Sequence, residues 1–224
     1  MHRLPTNLNK VMHMIDLKNI TLVLTSCGRL DLLQKTVESI HPEILVNTKQ
    51  NILIDDSGNR SIHEQIESNS FFSNWKKLYN EVNIGQPKSV DKAYSFVDTD
   101  YIFHCEDDWI FDCHYDFIFE SIKVLQSNEK IFQVTFRKDD PHPVQHTNQG
   151  YGIKIPGWRN EWYGFTYNPS ILKFNDINKV LPYSGKTEQQ ISKCYYDLGL
   201  LTASISGVVD HIGWGRSTNS HLKL

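Results

Sequence analysis

From residue 19 onward, short apolar runs alternate with amphipathic stretches. NITLVLT (19–25) is apolar and rich in β-branched residues, the pattern of a strand buried on both faces. After Ser-Cys-Gly, Leu33, Val37 and Ile40 recur at helical spacing. NILID (51–55) repeats the strand pattern and stops at Asp-Ser-Gly-Asn, a turn sequence. A polar helical stretch follows, and then EVNIG (81–85), which reads as a third short strand. Pro87 suits a first helical position, and Val90, Ala93, Tyr94 and Val97 fall on one face behind it. YIFHCE (101–106) is the fourth strand. Strand and helix in strict alternation predict an α/β fold, a mostly parallel central sheet with helices on both faces.

The second half is less regular. YDFIFESIKVLQ predicts a helix and IFQVTFR a strand, while residues 138–160 form a long connection dense in Pro, Gly and His. TEQQISKCYYDLG (187–199) places Ile191, Cys194, Tyr195 and Leu198 on one helical face and stops at Gly199. LLTASIS is a last strand, and VVDHIGWGRST sets glycines around a histidine and an arginine. Residues 1–17 are only weakly periodic and are expected to be an N-terminal extension, with 18–224 a single domain.

Composition narrows the function. A chain of 224 residues with five Trp, ten Tyr and eleven Phe has the apolar mass for a large core. Its formal charge of −3 leaves no basic excess, so no nucleic-acid partner is expected. No apolar run approaches the roughly 20 residues that span a bilayer, which predicts no transmembrane segment and a soluble, cytoplasmic protein. Cys27, Cys105, Cys113 and Cys194 lack C-x-x-C spacing and read as reduced thiols.

The informative segment is FHCEDDWIF, where Glu106, Asp107 and Asp108 interrupt apolar residues. In a parallel sheet, ligands sit beyond the C-terminal strand ends, which is where the fourth strand runs out. Adjacent carboxylates repel, and burial worsens this unless positive charge is near. A divalent metal, Mn2+ or Mg2+, is one remedy: if the strand persists, Glu106 and Asp108 face the same side and can hold a hard cation that also takes phosphate oxygens. An acidic surface turn is the plainer alternative. His211, between glycines, is a candidate third ligand or an ordinary surface histidine.

Taken in order, TLVLTSCGRLDLLQKTVES, ILIDDSGN, HCEDDW, TEQQISKCYYDLG and HIGWGRST resemble the nucleotide-sugar glycosyltransferases of GT-A (Rossmann-like) fold, especially the inverting family 2 type. The resemblance covers residues 19–218. It implies a nucleotide-binding half over 18–110 and an acceptor half over 111–224. It makes Thr25, Ser26 and Arg29 the loop around the nucleotide, Asp55 and Asp56 the contacts to base and ribose, and Asp107 a further nucleotide contact. Glu106-x-Asp108 matches the family's D-x-D element with Glu for the first Asp, so Glu106, Asp108 and His211 become metal ligands and Arg216 the diphosphate contact. Glu188, at a helix start, takes the place of the acceptor-activating base, where the family usually has Glu-Asp and this chain has Thr187-Glu188. Trp158, Trp162 and Tyr163 are candidates for an acceptor platform.

Each assignment has a structural alternative. Asp-Asp-Ser-Gly is a good turn, Glu188 a good first-turn residue, Arg216 a surface ion-pair former and the tryptophans core residues, while Lys88 and Lys92 either add positive charge near the third strand's end or are solvated helix lysines. The expected activity is metal-dependent sugar transfer from a nucleoside diphosphate sugar, such as a UDP-sugar, to an acceptor hydroxyl, with inversion. The alternatives are a non-catalytic carbohydrate- or nucleotide-binding module of the same fold and a nucleotidyltransferase.

Overall fold

The computed structural model describes residues 16–112, 116–157 and 162–216. Ten strands within them form one sheet: β1 Ile20–Ser26, β2 Gln50–Asp55, β3 Lys76–Tyr79, β4 Tyr101–Glu106, β5 Trp109–Phe111, β6 Ile131–Arg137, β7 Val144–His146, β8 Gly152–Lys154, β9 Ser170–Lys173 and β10 Leu201–His211. Their order is β3-β2-β1-β4-β9-β6-β10-β8-β7, with β5 paired to β10. β1, β2, β3, β4, β6 and β10 point one way, and β5, β8 and β9 run against them.

The helices are α1 Leu30–Ser39, α2 Pro42–Asn47, α3 Arg60–Ser68, α4 Gln86–Tyr94, α5 Asp116–Ser127, α6 Phe174–Ile177 and α7 Glu188–Asp197. They cover both faces because alternate strand residues feed two separate cores. Leu22 and Leu24 of β1 pack with Leu33 and Val37 of α1, and with Phe117 and Ile118 of α5. Val23, between them, belongs to the opposite core with Val90, Ala93 and Tyr94 of α4 and Ile191 and Tyr195 of α7. A β1 strand buried at all seven positions needs such double cover, which is why its sequence is continuously apolar.

Three predicted elements change. EVNIG is not a strand: β3 is the preceding KKLY, whose residues are only half buried at the sheet's edge, so it carries no apolar run. Instead, the amides of Ile84 and Gly85 donate to Asp56 (2.9 and 2.8 Å), fixing the approach to α4. The connection over 138–160 holds a short antiparallel hairpin, β7–β8. The last strand extends beyond LLTASIS to His211, pairing in turn with β6, β8 and β5. Leu17, assigned to the N-terminal extension, packs into the first core. No helix of the described residues is long and apolar enough to cross a membrane.

Register aligns the strand ends. Thr25 stands opposite Ile54 on one side and Glu106 on the other, and Ser26 opposite Asp55. The loops that follow β1, β2 and β4 therefore meet at one edge.

Candidate functional site

A cleft of about 410 Å³ opens at that edge. Thr25, Ser26, Cys27 and Arg29 line it from the end of β1, Asp56 from β2, and Glu106, Asp107 and Asp108 from β4, with Trp109 beside them. His211, Gly213 and Trp214 close it from the end of β10.

The acids do not sit on one strand face. β4 ends at Glu106, and the turn at Asp107 and Asp108 breaks the two-residue alternation that would have aligned Glu106 with Asp108. Glu106 faces Gln86, whose Nε2 donates to it (2.8 Å), and Trp109, whose Nε1 donates at 3.3 Å. Asp107 and Asp108 both turn to Arg29: the guanidinium is paired with Asp107 and lies 2.8 Å from Asp108 Oδ2. Ser26 Oγ donates to Asp107 as well (3.0 Å). Positive charge within the acidic triplet is thus supplied by an arginine from the end of β1.

The two carboxylates are 1% and 6% exposed, so these contacts replace the water they lose on burial. Burial pushes the Asp107 carboxyl up to about 6 against the pull of Arg29. Burial opposes the charge on Arg29, yet Asp107 and Asp108 hold it above its ordinary value. Burial, together with the charges of Asp108 and Glu188, pushes the Glu106 carboxyl well up.

Sheet register brings the distant histidine here. β10 runs antiparallel to β5 with His211 opposite Trp109, and the Ile212 amide continues the ladder onto the Asp108 carbonyl (2.9 Å). His211 Nε2 then lies 3.2 Å from Asp108 Oδ2, its ring against Trp109 and edge-on to Trp214. The close approach requires Gly213, where an added Cβ would fall 2.1 Å from Asp108 Oδ2.

Among the described residues, no three His, Cys, Asp or Glu side chains converge to hold a metal ion. Of the three ligands expected from sequence, Glu106 accepts from Gln86 and Trp109, one on each oxygen, while Asp108 and His211 meet each other. Asp108 Oδ2 and His211 Nε2, 3.2 Å apart, have the separation of neighbouring ligands on an octahedral ion with bonds near 2.1 Å, about 3 Å, and Asp108 Oδ2 also meets Arg29 at 2.8 Å. Two protein ligands, with the rest left to water and phosphate, is the usual arrangement for a magnesium-type ion.

The two acids after β2 divide. Asp55 is fully buried and does not line the cleft: it accepts from the amides of Gly28 (2.9 Å) and Ser57 (3.0 Å) and from the Ser57 hydroxyl, with His63 Nε2 at 3.1 Å. Gly28 holds a φ of 75°, which lets its amide reach Asp55. Asp56 lines the cleft while accepting from Asn80, Ile84 and Gly85.

Glu188 starts α7 behind Thr187, which forms a capping box with Gln190. Its carboxyl turns inward: Oε1 accepts from the Tyr167 amide (2.9 Å), and the side chain does not line the cleft, although the neighbouring Asn168 does. Burial pushes the Glu188 carboxyl up, against the Tyr167 amide, Thr166 and Lys154. Arg216 also lies off the cleft, forked onto Asp31 at 2.6 and 2.9 Å. Trp162 stacks on His142 (4.9 Å between centroids) away from the cleft lining, and Tyr163 meets Tyr196. Trp158 lies outside the described residues. Lys92 donates to the Tyr79 carbonyl and Asn80, and Lys88 is exposed. Asn83, Gln86, Arg137, Asn168 and Trp214 line the cleft without having been singled out from sequence. Arg137 had a usable signal, since it ends β6 as Glu106 ends β4.

Neither a protein-family model nor a curated protein matches the sequence. Solved structures do match the fold. S. aureus TarS (1–349) superposes with a TM-score of 0.56 at 11% identity, over 84% of this chain and 60% of that one. A mannosyltransferase from Pyrobaculum calidifontis, in complex with GDP-Man and Mn2+, gives 0.58 at 10% identity, over 89% and 60%. GalNAc-T7 with UDP, GalNAc and Mn2+ gives 0.60 at 12% identity, over 86% and 42%. All three are GT-A-type glycosyltransferases, and the chain has their α/β fold. It spans 60%, 60% and 42% of their lengths.

Proposed function

We propose that the protein transfers a sugar from a nucleoside diphosphate sugar to an acceptor hydroxyl. The observation that carries this reading is the meeting of Asp108 and His211, 3.2 Å apart, in a cleft at the C-terminal strand edge of a fold shared with glycosyltransferases. Two of those neighbours contain Mn2+ with a sugar nucleotide or with nucleotide and sugar.

In this reading the nucleotide lies over Thr25, Ser26 and Asp56. Asp108 and His211 hold a divalent cation, Mn2+ or Mg2+, which supplies positive charge toward the diphosphate when bound. Arg29 has a positioning role: its guanidinium pairs with both Asp107 and Asp108 and orients them. The acceptor oxygen bonds to the anomeric carbon, the bond to the diphosphate breaks with its electron pair leaving on phosphate oxygen, and the hydroxyl proton passes to Glu188. The transfer inverts the anomeric centre. Glu188 must come within about 3 Å of the acceptor to act, which requires its carboxyl to leave the Tyr167 amide.

That inward turn favours one second reading, a carbohydrate- or nucleotide-binding module of the same fold that does no chemistry. Incubation with UDP- and GDP-sugars, with and without Mn2+, separates the two. The transferase releases nucleoside diphosphate by transfer or slow hydrolysis, whereas a module binds the nucleotide and releases none.

A further inference from the structure

The cleft holds a second guanidinium whose surroundings differ from those of Arg29. Arg137, at the end of β6, stands opposite Val209 in β10, two residues before His211. Its guanidinium lies over Trp109, 5.5 Å from the ring centroid, and 5.9 Å from that of Trp214. Among the described residues no carboxylate pairs with it, whereas Arg29 is held by Asp107 and Asp108, Arg216 by Asp31 and Lys154 by Asp140. Flanking aromatic rings fix a guanidinium plane and contribute cation–π attraction, yet they use none of its N–H donors. A half-buried arginine held this way has its fork free for an oxyanion.

Trp214 strengthens the assignment. It is 72% exposed at the cleft rim, on a turn that Gly213 lets press against Asp108, and so it presents an aromatic face beside that fork. We propose that Arg137, braced by Trp109 and Trp214, is a phosphate-binding residue of the cleft, in the role expected from sequence for Arg216. The proposal deepens the transferase reading and rests on it only for the source of the phosphate: the donor's diphosphate, or a phosphate carried by the acceptor.

The test is calorimetric titration of wild-type protein, Arg137→Ala and Arg137→Lys with Mn2+ present. The probes are inorganic pyrophosphate, UDP and GDP, and then glucose 6-phosphate added to nucleotide-loaded protein. Arg137→Ala is expected to weaken pyrophosphate and nucleoside diphosphate at least 10-fold, to leave uridine and guanosine unaffected, and to be partly rescued by Lys. If diphosphate affinity is kept and glucose 6-phosphate binding is lost, the residue still binds phosphate and the source is the acceptor. Equal binding of every phosphate probe by wild type and Arg137→Ala overturns the proposal while leaving the transferase reading intact. Phosphate binding through Arg137 with no affinity for UDP or GDP does the reverse. A wild type that binds no phosphate compound overturns both.

Discussion

The carboxylates at the ends of β2 and β4 flank β1 at the same sheet edge, yet their partners differ in kind. Asp55 and Asp56 are held mainly by backbone amides, from Gly28, Ser57, Ile84 and Gly85. Such donors cannot leave without the loops rearranging, so these two acids shape the cleft wall. Glu106, Asp107 and Asp108 are held mainly by side chains, from Gln86, Trp109, Arg29 and His211. Side-chain partners can rotate away and be exchanged for a ligand. The comparison teaches that an acidic pair at a strand end is read by what donates to it, since motif and position alone would have treated both groups alike.

Substitutions should separate the two groups, with a third carboxylate giving the largest effect. Glu188→Gln is expected to lower kcat about 1,000-fold, within the range for loss of a positioned base. Because a base must be unprotonated and burial raises the Glu188 carboxyl, the wild-type rate should fall as pH drops through a value above the ordinary 4.5, a limb absent from the variant's pH profile. Asp108→Asn should reduce Mn2+-dependent turnover about 100-fold while leaving the urea unfolding midpoint nearly unchanged. Asp55→Ala should do the opposite, costing about 2 kcal/mol of stability through orphaned amides, with the residual folded protein still binding nucleotide. If Asp55→Ala abolished nucleotide binding without loss of stability, the division between the two strand ends would be wrong. Arg216→Ala frees the turn carrying Trp214 from Asp31 and should lower kcat/KM by only about threefold, with little further effect of salt on the variant.

Much of the first half was legible because its strands are buried on both faces and so carry continuous apolar runs. β1, β2 and β4 fall within a residue of their expected places, while the helix behind Pro87 starts where expected but ends at Tyr94, short of Val97. β3 escaped because an edge strand needs no such run, and EVNIG, more apolar, drew the assignment while serving as the amide donor for Asp56. In the second half β9 is only SILK, inserted antiparallel between strands distant in sequence, and β7 and β8 have three residues each. Local pattern carries little at that length. His211 was singled out as a companion of Asp108 by its glycine-rich setting, and the family resemblance gave it the same place. The physical cause of their meeting, the antiparallel pairing of β10 with β5, is a non-local register that no local periodicity encodes. Arg216 and Arg137 show the same limit, since only folding decides which arginine finds a carboxylate.

The proposed function requires the cleft to take a nucleoside diphosphate together with a divalent cation held by Asp108 and His211. The direct measurement is titration of UDP and GDP into the wild type and Asp108→Asn, each with Mn2+ and again with EDTA. One of the nucleotides should bind the wild type with Mn2+, and its affinity should fall at least 10-fold both on chelation and in the variant. Affinity that is the same in EDTA and in Asp108→Asn, or no binding of either nucleotide to the wild type, would contradict the proposed function.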